Sequence, residues 1–339
     1  MSDAAAPPGL DLPQVEAWCA THLGAAPPLD VTSVGVGQSN LTYRVVDRTG
    51  RAWALRRPPT GPLRPTAHDV VREARILRCV AGGPPVPVVA GVCEDVAVTG
   101  APFYVMDFVE GVVLDGDDAA ATLDPDARAR FGEACVDALV AVHEVPPERA
   151  GLRVRRPDGE PYVVRQLRRW RSQVVDTGAP APDGLLDVHD LLAARVPPEA
   201  GAGIVHGDFR PGNLVVARDG SVAAVLDWEL CTSGDVLTDV GWLTAWWRGA
   251  RFGSWGPQGL PGFDGAEALA ARYAARTGRA DALEHLATYE AFALWRLACI
   301  AHGVHLRFAG GQMGAAPESL DALAERPRVL VEAAADLLS

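Results

Sequence analysis

The sequence predicts an α+β protein of two lobes, strand-rich first and helical after about residue 112. Short β-type segments separated by turn signals fill residues 30–107. Helical periods dominate from there to the C-terminus. One β-rich island, from Ile204 to Trp228, interrupts them.

Taken in order, residues 1–10 read as a disordered leader and residues 13–23 as a short amphipathic helix. Strand-like segments follow at Asp30–Val36, Leu41–Val46 and Arg51–Arg56, with the turn signal Asp47-Arg48-Thr49-Gly50 between the last two. Thr66 to Val80 is helical in period, starting after the stop at Pro65, with Val70, Ala74, Leu77 and Val80 on one face. Two more strands are expected around Val86–Glu94 and Pro102–Asp107. Helices are expected at about 125–144, 161–175, 185–195, 236–248, 265–276, 281–306 and 317–338. The character of the chain changes at residues 106–112, the expected boundary.

The chain has 339 residues, 31 basic and 43 acidic, for a formal charge of −12. Every basic residue is Arg; there is no Lys. That excludes a Schiff-base lysine and a Walker-A lysine. It also matters wherever phosphate is bound, because a planar guanidinium and a point-charge ammonium are not interchangeable. The acidic balance argues against a general nucleic-acid binder. The six Cys are scattered without a CxxC pair, and MSDAAAPPGLDL has neither a basic start nor an apolar core. Free thiols in the cytoplasm are therefore expected. No uncharged apolar run approaches the ~18 residues of a membrane span.

The most informative stretch is Ile204-Val205-His206-Gly207-Asp208-Phe209-Arg210-Pro211-Gly212-Asn213-Leu214-Val215-Val216, followed by Val225-Leu226-Asp227-Trp228-Glu229, whose Asp227 lies fourteen residues past Asn213. Apolar strands flank both polar clusters, so Asp208, Asn213 and Asp227 belong on loops at strand ends. Two carboxylates and an amide brought together there make a hard, oxygen-rich site suited to Mg²⁺.

HGDFRPGN and LDWE resemble the catalytic loop and metal segment of the aminoglycoside phosphotransferase and choline kinase-like superfamily, which has the protein-kinase-like fold. The resemblance implies an ATP- and Mg²⁺-dependent small-molecule kinase. It implies an N-terminal nucleotide-binding lobe (1–106), a hinge (107–111) and a catalytic, substrate-binding lobe (112–339). Asp208 resembles the catalytic base, Asn213 and Asp227 the magnesium ligands, and Glu229 a further candidate near the metal. Arg210 stands where protein kinases carry a lysine that touches the transferred phosphate. Val34-Gly35-Val36-Gly37-Gln38-Ser39-Asn40 resembles a nucleotide loop, with Gly37, Ser39 and Asn40 at the phosphates. Arg56 falls where the family places a lysine, and Glu73 where that lysine finds its glutamate. Met106, Asp107 and Val109 resemble the adenine-binding hinge.

Ser233-Gly234-Asp235 begins six residues after Asp227, too soon for the activation segment that docks a polypeptide, and Gly207 replaces the arginine that would read an activation-loop phosphate. Both features favour a small hydroxyl-bearing substrate over a protein. Asp235 and Asp239 are expected to brace the catalytic loop or cap the next helix. GQSNLTYRV, LRRPPTG, REARIL and YEAFALWRLACIAHGV resemble the kinase-like branch associated with acyl-CoA dehydrogenase-type proteins, which implies a hydroxyacyl-type acceptor. The competing readings are an aminoglycoside or macrolide kinase, a nucleotide-binding pseudokinase and a protein kinase. A monomer or homodimer is expected, with no nucleic acid and no membrane. Cys299, His302 and His305, three apart, suit helix packing better than zinc. His143 reads as structural. Trp242, Trp246 and Trp247 read as core or substrate wall, and Arg165, Arg168, Arg169 and Arg171 as a solvated helix face.

Overall fold

The computed structural model describes residues 7–34, 40–61, 69–154, 159–199, 201–249, 254–311 and 319–339. Two compact units form. One runs to Glu110 and also contains Ala223–Leu230; the other comprises Gly111–Val222 and Cys231–Ser339. The return of Ala223–Leu230 carries Asp227 and Glu229 into the first unit, which a division at a single point of the chain does not capture.

The first unit is built on an antiparallel sheet of β1 (Asp30–Ser33), β2 (Leu41–Val46), β3 (Ala52–Arg57), β4 (Val89–Cys93) and β5 (Phe103–Asp107), in the order β1-β2-β3-β5-β4. The β2–β3 hairpin is set by Asp47. Its Oδ1 accepts from the amides of Thr49 (2.9 Å) and Arg51 (3.1 Å) and the Thr49 hydroxyl (2.6 Å). An aspartate that satisfies the turn's own donors is what makes a D-R-T-G segment fold back. Tyr43, Val45, Trp53, Leu55, Phe103 and Val105 form a core with Val15 and Cys19 of the helix Leu12–Leu23.

The helix Val70–Val80 starts at the cap Asp69, whose side chain accepts from the Arg72 amide. The expected start at Thr66 and the stop at Pro65 lie outside the described residues. Its Ala74, Ile76, Leu77 and Val80 are buried, and so is Glu73. A buried carboxylate on an otherwise apolar face needs a partner.

The second unit is mainly helical. The expected helix over 281–306 is two elements, Asp281–Glu284 and Leu286–Ala309, because the chain breaks at His285. Leu286–Ala309 packs against Leu237–Trp247 and Leu320–Asp336. Gly241 permits a close approach of Leu237–Trp247 to Leu286–Ala309: a Cβ there would lie 2.5 Å from the Tyr289 backbone. Antiparallel strands Ala202–Val205 and Thr232–Asp235, together with Leu214–Val216, frame the loop that carries HGDFRPGN. Among the described residues no helix is long and apolar enough to cross a membrane.

Candidate active site

Each unit assembles its own polar cluster. In the first, the register sets Arg56 on β3 opposite Thr42 on β2 and Tyr104 on β5. The Arg56 Nε donates to Glu73 Oε2 at 3.0 Å, and its Nη2 donates to Asp227 Oδ1 at 2.7 Å. The Trp228 amide donates to Glu73 Oε1 at 3.1 Å, so both oxygens of the buried carboxylate are occupied. Burial pushes the Glu73 carboxyl up to about 7 against the pull of Arg56. For Arg56, burial disfavours the charge, and Glu73 and Asp227 overcome that, holding the guanidinium cationic. Burial and neighbouring Glu73 keep the Tyr104 hydroxyl protonated.

Asp227 has φ +64°, a left-handed backbone that no other described non-glycine residue adopts. Strain of this kind, of order 1–3 kcal/mol, persists where the surroundings fix a side chain for a task. Arg56, Glu73, Tyr104, Met106 and Asp227 line one cavity of about 170 Å³. Asn40 Nδ2 donates to Glu229 Oε2 at 3.1 Å, while Asn40 Oδ1 is buried without a hydrogen-bond partner. Asp107 ends β5 opposite Trp53, and Val109 lies half-buried just beyond. Gly37 and Ser39 lie outside the described residues.

In the second unit the HGDFRPGN loop is pinned by Asp239. This buried carboxylate accepts from the backbone amides of His206 (2.6 Å) and Gly207 (2.9 Å), and His143 Nε2 lies 3.3 Å away. Burial raises its pKa, but His143, His206 and the Gly207 amide overcome that and leave it below the ordinary carboxylate value. Gly207 has φ +85°, with its N–H on Asp239 and its carbonyl accepting from Arg296 Nη2 at 2.9 Å. Asp208 then projects with both oxygens held. Oδ2 accepts from Asn213 Nδ2 (2.7 Å) and Oδ1 from the Trp242 indole (2.8 Å), while Arg210 Nε stands 3.4 Å from the carboxylate. The Arg210 guanidinium lies over the Trp246 ring at 4.8 Å. Arg296 is buried over Trp242 at 4.4 Å and 5.7 Å from the Trp170 ring.

Two expected outcomes follow from this loop. Asp239→Ala leaves two buried amides without acceptors and destabilises by about 3 kcal/mol or more in denaturant unfolding. Because the folded pKa of Asp239 is depressed, its contribution is present above the unfolded value of about 4 and fades as pH falls through the folded value. The variant therefore loses stability at neutral pH and shows a shallower acid limb. Trp242→Phe keeps the ring over Arg296 and removes one donor from Asp208. Steady-state kinetics should show kcat reduced by about tenfold or more with KM for nucleotide unchanged, the scale of one hydrogen bond to a charged group.

Sequence reasoning missed Tyr104, Arg296 and the Trp242 bond to Asp208. The only available signal for Trp242 was its position on a helix following Asp227-Trp228-Glu229. His143 is structural, bonded through Nδ1 to the Tyr273 hydroxyl at 2.8 Å. Cys299 and His302 are buried on Leu286–Ala309, and the described residues contain no group of three or more His, Cys, Asp or Glu that could hold a metal ion. All six cysteines are free thiols.

The chain belongs to the phosphotransferase enzyme family, whose model matches residues 30–296. Mouse (Mus musculus) acyl-CoA dehydrogenase family member 10 is 33% identical over 305 residues, covering 85% of this chain and 27% of its own length. The chain thus spans about a quarter of that relative. A crystal structure from Ralstonia eutropha, of a protein provisionally assigned as an aminoglycoside phosphotransferase, has a TM-score of 0.77 at 30% identity, covering 97% of this chain and 98% of that one. The GDP complex of aminoglycoside 2′-phosphotransferase-IIIa shares the fold at TM-score 0.64 and 18% identity, covering 96% of this chain and 99% of that one. Family and fold together make this a member of the phosphotransferase enzyme family with the fold of these phosphotransferases.

Proposed function

We propose that the protein is an ATP- and Mg²⁺-dependent O-phosphotransferase that moves the γ-phosphoryl group to a hydroxyl on a small hydroxyacyl-type molecule. The observation that carries this reading is the Asp208 carboxylate, fixed at both oxygens by Asn213 and Trp242 within HGDFRPGN. A carboxylate so held has its remaining lone pairs aimed in set directions, which suits a base that orients a hydroxyl and takes its proton. Because phosphoryl transfer passes through a loose transition state, such positioning supplies much of the rate.

The donor chemistry fits Mg²⁺. Asn213 spends Nδ2 on Asp208, which leaves Oδ1 as its ligating atom. Asp227 gives Oδ1 to Arg56, which leaves Oδ2, and Glu229 adds a further carboxylate. Mg²⁺ held by such side chains would neutralise charge on the nucleotide phosphates. Arg56, held by Glu73, meets the phosphates in place of lysine, and the unpartnered Asn40 Oδ1 fits a loop completed by a ligand. Met106, Asp107 and Val109 offer an apolar wall and backbone groups to the base. Arg210 steadies the group in transfer.

The alternative of an antibiotic kinase shares every one of these parts and differs only in the acceptor. The test is to incubate protein, ATP and Mg²⁺ with hydroxyacyl compounds, aminoglycosides and macrolides, and to follow ADP release and phosphorylated products by mass spectrometry. A phosphorylated hydroxyacyl product is expected. ATP that neither binds nor turns over with any acceptor overturns the kinase reading, and phosphorylation of an antibiotic alone overturns the acceptor.

A further inference from the structure

The second unit contains a cavity of about 210 Å³ lined by Asp115, Arg210, Trp246, Ser254, Trp255 and Arg326, among others. Its polar wall is lopsided. Among the described lining residues the charged groups are two guanidiniums and one carboxylate, that of the exposed Asp115. Arg210 is stacked over Trp246 at 4.8 Å, and Arg326 is anchored by Nη2 on Ser254 Oγ at 2.8 Å. The indole N–H of Trp246 is buried with no acceptor. The Trp255 indole is tied to Asp117 Oδ1 at 2.9 Å, which holds that ring in place. The wall therefore offers hydrogen-bond donors, positive charge and two indole rings.

A ligand complementary to such a wall brings acceptors and negative charge, with apolar surface for the rings. A carboxylate or phosphate matches the planar fork of a guanidinium, and a hydrocarbon chain suits the indoles. A polyammonium molecule brings the wrong partner twice, donors against donors and positive against positive. Arg210 joins the two features, since the side chain that lines the cavity stands 3.4 Å from Asp208.

We propose that this cavity is the acceptor subsite for the anionic end of the substrate, a carboxylate or phosphate borne on an apolar chain, with Arg326 as its specificity-determining residue. The proposal rests on the kinase reading for its meaning but not for its test. Four probes of equal chain length separate the possibilities: hexanoate, hexyl phosphate, hexanol and hexylamine. Their binding is followed by tryptophan fluorescence in the wild-type protein and in Arg326→Gln, with nucleotide affinity and thermal melting measured on both.

At least one anion should bind about tenfold or more tighter than hexanol, and hexylamine weakest, as expected for charge-assisted pairing. Which anion binds tighter identifies the group the substrate carries. Arg326→Gln should erase that preference while hexanol binding, nucleotide affinity and melting persist. Hexylamine binding as tightly as either anion, an anion preference unchanged in Arg326→Gln, or no saturable binding of either anion overturns the proposal. A protein that binds the anions but never consumes ATP keeps the subsite and loses the kinase reading. One that phosphorylates only polycations keeps the kinase and loses the subsite.

Discussion

Asp208→Asn should lower kcat for phosphoryl transfer by at least about a hundredfold, the scale of general-base catalysis, with nucleotide affinity preserved. The local geometry gives the substitution a double effect. The carboxamide cannot take the hydroxyl proton. Its NH₂ must also face either the Asn213 amide nitrogen, a donor 2.7 Å from Oδ2, or the Trp242 indole N–H, a donor 2.8 Å from Oδ1. One donor–donor clash is unavoidable, so the Asn side chain rotates away from the position the carboxylate occupies. Asp208→Ala separates the effects, since it removes the proton acceptor without introducing a clash. Both variants should melt near the wild type, because the loop is pinned through Asp239 and Arg296 and not through Asp208. Single-turnover assays and nucleotide titration measure the two quantities separately. Turnover within tenfold of the wild type in Asp208→Ala removes Asp208 from the chemistry.

What the sequence made legible were the features written in contiguous residues. HGDFRPGN lies between apolar strands, and the turn at Asp47 carries its own acceptors, so local rules suffice for both. The Arg56–Glu73 pair spans only 17 residues and follows from a strand succeeded by a helix with one buried acid. The tie from Arg56 to Asp227 spans 171 residues and depends on the return of Ala223–Leu230 to the first unit, which no local signal announces. Trp242 illustrates a different limit. Helical spacing puts Trp242 and Trp246 on one face, but does not say whose carboxylate an indole meets. The contact with Asp208 is set by how Leu237–Trp247 packs on Leu286–Ala309, where Gly241 admits Tyr289. Arg326, on a distant helix, became visible only once the cavity existed.

Arg56 is where the missing lysine has its physical consequence. A lysine ammonium is a single point, whereas this guanidinium spans two acids, Glu73 through Nε and Asp227 through Nη2. Arg56→Lys keeps one charge beside Glu73 and gives up the reach to Asp227. Nucleotide affinity should stay within about threefold of wild type if charge at the phosphates is the main requirement. Arg56→Ala removes both contacts and should weaken nucleotide binding by about tenfold or more, the loss of a charge-assisted pair. Deleting one partner of a buried pair ordinarily costs about 3–5 kcal/mol. Here Glu73 sits with its carboxyl already raised to about 7 by burial, so losing Arg56 lets it take up a proton and stay neutral. Without the pull of Arg56 the Glu73 carboxyl rises further, so the unfolding penalty in Arg56→Ala should shrink as pH falls toward about 7 from the alkaline side and level off below it, where Glu73 is protonated in both proteins. Denaturant unfolding of Arg56→Ala at successive pH values reads that directly, and nucleotide titration at neutral pH reads the binding role. An Arg56→Ala protein with unchanged ATP affinity and rate would show that Mg²⁺ and the loop hold the phosphates unaided, and that Arg56 only pairs two acids.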